Sequence, residues 1–368
     1  MRPVQLSILL PTHRHDLLAC SRVFQASSWA GPEIEVLIRD NSGNEQKRTL
    51  LGQIQRDNCH VILSEPCGPR ENLSELFRLA KGKFIFCFSD DDGAFDRGIA
   101  ALPSIISQVA KDESVVGISG LCLVDATQGS RVINYQGIDS DEVGARVVGY
   151  LNEMAANVLF YSAFRRTVAE RVMTFLRELP FPLSYHDQIM CLLYLLNGKF
   201  VRLPRLFYLY DFGTWETAES AQQVDVSYYV ASGLDPAINK LHWFLCGFEG
   251  AVLALKSSVF PDHPIAQRQA IANHWFTTMF ARFNNHARLT FVSPFSAEVE
   301  ARCERLKTLS APMSFDAMLE EITGILALVS QSKARNYFDY WNAIINERAS
   351  SASQANALKV AAARQSRA

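Results

Sequence analysis

The stretch FIFCFSDDDGAF, residues 84–95, decides how this chain is read. Five apolar residues run without a break, one serine follows, and three aspartates then stand side by side. A short continuous apolar run bounded by polar residues suits a strand buried on both faces, as in a parallel sheet. Three adjacent carboxylates at the end of such a strand repel one another and are hard to solvate. We read the triplet as a site for a cation or ligand; the competing reading is a solvated acidic turn.

Upstream of the triplet the same grammar repeats. VQLSILL (4–10) is a buried-type strand ending at Pro11, IEVLIRD (34–40) a second, ending in the turn Asn41-Ser42-Gly43, and HVILSE (60–65) a third. Helical spacing links them over 15–28, 45–56 and 72–83, with CGPR as a turn and Gly82 as a helix stop. This βαβαβαβ order predicts an α/β fold with a doubly wound, mostly parallel sheet. In such sheets ligands lie beyond the carboxyl ends of the strands. Pro11–Arg14, Asp40 and Asp90–Asp92 all fall at those ends.

Downstream, residues 100–112 read as a helix and 114–125 as a strand. The chain is then polar and mixed to about 150, and 157–166 reads as a strand leading into a helix. HDQIMCLLYLLNGK (186–199) is an apolar helix opened by an acid, and 200–212 a strand with a proline break. From about 225 the patterns lengthen and turn helical, as in INKLHWFLCGFEGAVLAL and FDAMLEEITGILALV. The expected division is 1–215, a helical region at 225–345, and a tail at 346–368 that frays or extends as a weak helix.

With 368 residues, 48% hydrophobic and 20% charged, the chain can bury a sizeable core. A formal net charge of −2 gives no global field for nucleic acid. The eight cysteines form no CxxC pair and sit mostly in apolar runs, which points to core thiols in a reducing, cytoplasmic compartment. MRPVQLSILLPTHRH has too short an apolar run for a signal peptide. No stretch reaches the roughly 18 apolar residues of a membrane span. The expectation is a soluble protein, at most touching the inner face of a membrane.

Acids on a ligand rim suit Mg²⁺ or Mn²⁺, which take oxygen ligands and keep waters and substrate phosphates in their shell. A rival exists in the residues themselves: DDDGA resembles the DxDG signature of haloacid dehalogenase phosphohydrolases, with Asp90 as nucleophile and Asp92 as acid/base. That signature normally ends the first strand and continues with Thr or Val, whereas here it ends the fourth and continues with Ala94.

SILLPTHRH, VLIRDNSG, ENLSELFRLAKGKFIFCFSDDDGAF and YHDQIMCLLYLLNGKFVRLPRLFYLYD, in that order, span about residues 5–211. Together they resemble the GT-A glycosyltransferases, most nearly family 2. The helical C-terminal region resembles no named family. The resemblance implies a Rossmann-like GT-A domain and a nucleotide-sugar donor. Pro11 and Thr12 would line its base and ribose, Asp40 would bond the base, and Asn72 would lie near the donor. Asp90 and Asp92 would hold metal and diphosphate, with Asp91 between them; either spacing of two acids is available. Arg14 and Arg70 are candidates for phosphate, and His13 is a weaker ligand contact. The alternative for Asn72 is a helix N-cap, and for Asp40 a turn-initiating aspartate.

An inverting transferase needs a carboxylate to take the acceptor proton. His186-Asp187 fits, with Asp187 as base; the family usually has Glu-Asp here, and this chain has His. The alternative is an N-cap aspartate. Trp215 could stack on a sugar or pack in the core, and His242, His274 and His286 read as packing or surface residues.

The resemblance implies a metal-dependent, inverting transfer to a saccharide, lipid-linked saccharide or protein acceptor in surface polysaccharide or glycoconjugate assembly. The retaining outcome stays open. The helical region would shape the acceptor site, form a homo-oligomer or touch a membrane, with an ordinary core helix as the default for LHWFLCGFEGAVLAL. A non-catalytic relative that binds nucleotide or glycan is the remaining alternative.

Overall fold

The computed structural model describes residues 3–154, 156–256, 263–285, 293–308 and 314–346. His286 and the tail from 347 lie outside the described residues. The chain forms two compact units, one of residues 1–178 and 190–220, the other of residues 179–189 and 221–368.

The first unit opens as its sequence pattern requires. β1 (Leu6–Thr12), α1 (Leu17–Ser28), β2 (Ile34–Asp40), α2 (Glu45–Leu51), β3 (Cys59–Leu63), α3 (Pro69–Leu79) and β4 (Phe84–Cys87) alternate. Both apolar faces of β1, β2 and β4 are buried, which explains their unbroken hydrophobic runs. The four strands pair in parallel in the order β3-β2-β1-β4. α3 begins earlier than its hydrophobic spacing predicts. Pro69 takes the first helical position after Gly68, because its missing N–H and fixed φ suit that site. Asn72 therefore lies inside the first turn and does not cap it.

Beyond β4 the sheet turns mixed. β5 (Gly93–Ala94), α4 (Asp96–Val109), β6 (Val115–Asp125), β7 (Arg131–Ile133), α5 (Val143–Glu153), β8 (Ala163–Arg165), α6 (Arg166–Glu178), α7 (His186–Asn197) and β9 (Lys199–Asp211) follow. β8 runs antiparallel between β4 and β6, and β5 antiparallel to β9. β5 and β8 are two and three residues long, too short to show a period in sequence. β9 is not broken by Pro204. The pairing skips from Ser119–Arg202 to Leu121–Leu206, so a bulge absorbs the missing donor. The acid triplet follows the fourth strand, after Phe88 and Ser89.

Helices α8 (Ala218–Ala231), α9 (His242–Lys256), α10 (Ile265–Asn285), α11 (Ser296–Thr308), α12 (Phe315–Val329) and a last helix over 331–346 follow. α9 carries the apolar stretch for which a membrane or oligomer surface was one expectation. It is instead buried from Phe244 through Ala254. Gly250 permits this: a Cβ there would stand 2.1 Å from Trp275 Nε1 on α10. With the glycine in place, the indole N–H donates to the Cys246 carbonyl at 2.9 Å. No described helix is long and apolar enough to cross a membrane.

Candidate active site

β1 and β2 pair with Thr12 opposite Asp40, the last residue of each strand. On the other flank Leu9 pairs with Cys87 of β4. Three residues further along each chain stand Thr12 and Asp90, and the Thr12 hydroxyl donates to Asp90 Oδ2 at 2.5 Å. The doubly wound topology thus delivers three strand tips to one rim.

Lys47 ties the tips together. Asn44 caps α2, and the two buried residues of this helix are Lys47 and Leu51, one turn apart. The Lys47 ammonium lies 2.8 Å from Asp40 Oδ1. It also donates to Thr12 Oγ1 at 2.6 Å and to the Arg14 carbonyl at 2.5 Å. Its three N–H groups therefore have three acceptors. The two charged side chains are 1% and 0% exposed. Such a pair persists only if its remaining groups are bonded, and the Ser42 hydroxyl serves Asp40 Oδ2 at 3.0 Å. Asp40, the expected base contact, is buried among these partners. Its carboxylate is interior, held by Lys47 and Ser42, because a lysine on the buried face of α2 needs a counter-charge.

The three aspartates have three surroundings. Burial pushes the Asp90 carboxyl up, the Thr12 hydrogen bond opposes this, and the charge of Asp91 adds to the rise. Asp92 is carried against β9 because β5 pairs Gly93 with Leu209 and Ala94 with Tyr208. Tyr208 donates its hydroxyl to Asp92 Oδ2 at 2.8 Å, and the Asp211 amide donates to Oδ1 at 2.9 Å. Burial, reinforced by Asp91, nevertheless lifts Asp92 to about 7. The Tyr208 ring is fixed by stacking on Tyr161, centroids 4.2 Å apart, and by edge contacts with Phe86 and Phe88. Asp91 is half-exposed. It accepts from the Ser89 hydroxyl and pairs with Arg14 at 2.8 Å, in the solvent-screened setting where ion pairs add little stability.

The other sequence candidates divide. Asn72 is buried beside the rim: Arg39 donates to its Oδ1 at 2.8 Å, and its amide donates to Asn41 Oδ1 at 3.0 Å. Its side chain ties α3 to the residues around the end of β2. Pro11 is half-buried in β1 and His13 exposed just after it. Arg70 donates to the Leu176 carbonyl at 2.7 Å, an anchor of α3 on α6. Trp215 is half-buried and follows Asp211 by four residues. In the second unit His242 is buried and His274 exposed. Asp187 lies in the first turn of α7, half-buried, its Oδ1 accepting the Gln188 amide at 2.6 Å.

The donor set on the rim is all oxygen and anionic. Among the described residues no three or more His, Cys, Asp and Glu side chains form a group that could hold a metal ion. Two buried carboxylates whose pKa values are raised fit a hard cation that completes its shell with water and phosphate, not a caged structural ion.

Lys47 and Tyr208 escaped the sequence reading. Lys47 was visible as a cation sharing a helix face with Leu51 directly after the second strand. Tyr208 was hidden inside the aromatic run FYLYDF, where only the pairing of β5 with β9 selects it.

No protein-family model and no curated protein sequence matches the chain. Among solved structures, that of S. aureus TarS 1-349 is similar at 16% identity and TM-score 0.53, over 94% of this chain and 92% of that one. A longer S. aureus TarS structure gives 15% identity and TM-score 0.54, over 92% of this chain and 55% of that one. S. aureus TarS 1-349 in complex with UDP-GlcNAc gives 15% identity and TM-score 0.50, over 94% of this chain and 92% of that one. These likenesses establish the fold: an α/β, GT-A-like architecture with a helical C-terminal region.

Proposed function

We propose that this chain is a glycosyltransferase moving a sugar from a nucleotide-sugar donor to an acceptor hydroxyl. The observation that carries the reading is the strand-tip row Asp40–Lys47–Thr12–Asp90, with Asp92 held beside it by Tyr208. Asp90 and Asp92 are each held by a hydroxyl at the strand-end rim where doubly wound sheets bind ligands. The TarS 1-349 structure holding UDP-GlcNAc supports a nucleotide-sugar as the donor class.

Asp90 and Asp92 would hold Mg²⁺ or Mn²⁺ together with the donor diphosphate. When bound, the ion would withdraw negative charge from the departing nucleoside diphosphate. Thr12 and Tyr208 keep the two carboxylates oriented, and Arg14 stands beside them as a cation for phosphate oxygens. Asn72 and Pro11 border the same rim. Asp187 takes the proton of the acceptor hydroxyl. The acceptor oxygen then bonds to the anomeric carbon as the bond from that carbon to the diphosphate breaks, and the diphosphate leaves with the electron pair. Attack opposite the leaving group inverts the anomeric centre. A saccharide, lipid-linked saccharide or protein is the acceptor, in surface polysaccharide or glycoconjugate assembly at the cytoplasmic side of a membrane.

Thermal stabilisation by a panel of nucleoside diphosphates, with and without Mn²⁺, tests the reading. A ligand selective for the native state at a hundred times its Kd stabilises by about 2.7 kcal/mol. One diphosphate should stabilise the protein only with Mn²⁺, and Asp92→Ala should abolish this. Stabilisation by a metal fluoride mimic of phosphate, and by no diphosphate, would move the assignment to a phosphohydrolase acting through Asp90.

A further inference from the structure

The second unit buries a carboxylate that the proposed sugar transfer does not use. Glu249, on α9, is 2% exposed. Its Oε1 accepts from two phenols, Tyr185 and Tyr337, each at 2.9 Å. Burial, with the charge of Glu249, pushes both phenols well above their ordinary range, so both remain hydrogen-bond donors. Its Oε2 accepts no hydrogen bond among the described residues. Facing that oxygen is the His186 imidazole, with Nε2 at 3.5 Å. On its other side the same ring is fixed, since Nδ1 accepts the Leu183 amide at 3.3 Å. That contact places the ring proton on Nε2, towards Glu249.

A carboxylate in this position is a poor stabilising device. A buried acid with one oxygen lacking a hydrogen bond costs free energy that an apolar side chain of similar volume would not. Glu249 bonds Tyr185 and Tyr337 and faces His186, so two of these three neighbours are the residues immediately before Asp187. Both are buried and directed at one carboxylate, while Asp187 itself is half-buried. Tyr185 and His186 also meet edge to face, centroids 4.9 Å apart. Two anchored residues at the start of a helix fix the rotation of its first turn, and with it the direction of the next side chain.

We propose that Glu249 is a positioning residue for Asp187, acting through His186 and Tyr185. The proposal rests on the reading of Asp187 as the base.

The experiment uses the full chain with UDP-GlcNAc and Mn²⁺ as probe and UDP release as readout. The variants are Glu249→Gln, Asp187→Asn and the two combined. Glu249→Gln keeps an oxygen for the phenols but presents an amide N–H to the His186 N–H. Misplacing a reacting group by about 1 Å costs on the order of 100-fold. The expected result is a kcat lowered by about 10- to 100-fold with donor KM unchanged, and no further loss when Glu249→Gln is added to Asp187→Asn. His186→Gln, which retains a donor, should keep most of the rate that His186→Leu loses. Multiplying losses in the double variant would overturn the proposal.

Amide exchange gives a second readout that does not depend on turnover. In Glu249→Gln, amides 185–190 should exchange faster while those of α10 stay protected. Unchanged exchange at 185–190 would overturn the proposal as well. Failure of the underlying base assignment looks different: Asp187→Asn would release UDP at the unmutated rate while the exchange signature of Glu249→Gln remained.

Discussion

Lys47 Nζ lies 2.8 Å from Asp40 Oδ1, and neither side chain is more than 1% exposed. This pair holds the rim from beneath, because the same ammonium bonds Thr12, which in turn bonds Asp90. The candidate acids are thus positioned by a charge pair that a ligand does not need to touch.

Lys47→Met should therefore be costly. It leaves Asp40 charged and unpaired in the interior, a loss of about 3–5 kcal/mol. Adding Asp40→Asn should restore a large part of it, since the second change removes the stranded charge. Denaturant midpoints of the two variants check this; equal midpoints would show that the pair is not what holds Asp40.

Thr12→Val probes the link to the acid site. It removes a buried hydroxyl that donates to Asp90 and accepts from Lys47, so stability should fall by about 1–3 kcal/mol. Mn²⁺-dependent stabilisation by a nucleoside diphosphate should weaken as well, because Asp90 loses the bond that orients it. Full retention of that stabilisation would mean that Thr12 serves the fold alone.

His242 gives a prediction with a defined sign. It is fully buried, and burial lowers its pKa below 6.5, against the pull of Asp225. The unfolded chain then binds the extra proton more readily. The stabilising contribution is complete above 6.5 and is lost as the pH falls towards the depressed folded value. Relative to His242→Gln, the parent should lose stability with acidification, at no more than about 1.4 kcal/mol per pH unit. Parallel stability curves for the two proteins across that range would show that His242 does not titrate in this way.

Gly250→Ala probes the core of the second unit. The new methyl would meet Trp275 Nε1, at 2.1 Å before relaxation. Overpacking of this kind costs typically about 1–3 kcal/mol. A lower melting temperature together with altered indole fluorescence is expected, and a variant with neither would mean that α9 and α10 separate freely.

The fold was most legible where a strand is buried on both faces. β1, β2 and β4 showed themselves as apolar runs, and their parallel order placed Thr12, Asp40 and Asp90 at one edge. It was least legible where long-range pairing decides. β5 is two residues long and gains its meaning only from β9, so the bond between Tyr208 and Asp92 had no local signature. Asp40 illustrates a third case. Its place at a strand end was correctly read, yet its partner Lys47 turned it inward, and a buried lysine is rare enough that spacing alone does not predict one. Glu249 was hidden for a similar reason, as a single acid within the apolar pattern of α9.

The metal–diphosphate site on the strand tips is probed most directly by the electron paramagnetic resonance signal of free Mn²⁺, followed while the protein is titrated with UDP, GDP, CDP, ADP and dTDP in turn. One diphosphate should remove the free-ion signal in the unmutated protein, little should be lost without it, and Asp90→Asn and Asp92→Asn should each restore the signal. Mn²⁺ uptake that ignores every diphosphate, or that survives both substitutions, would contradict such a site.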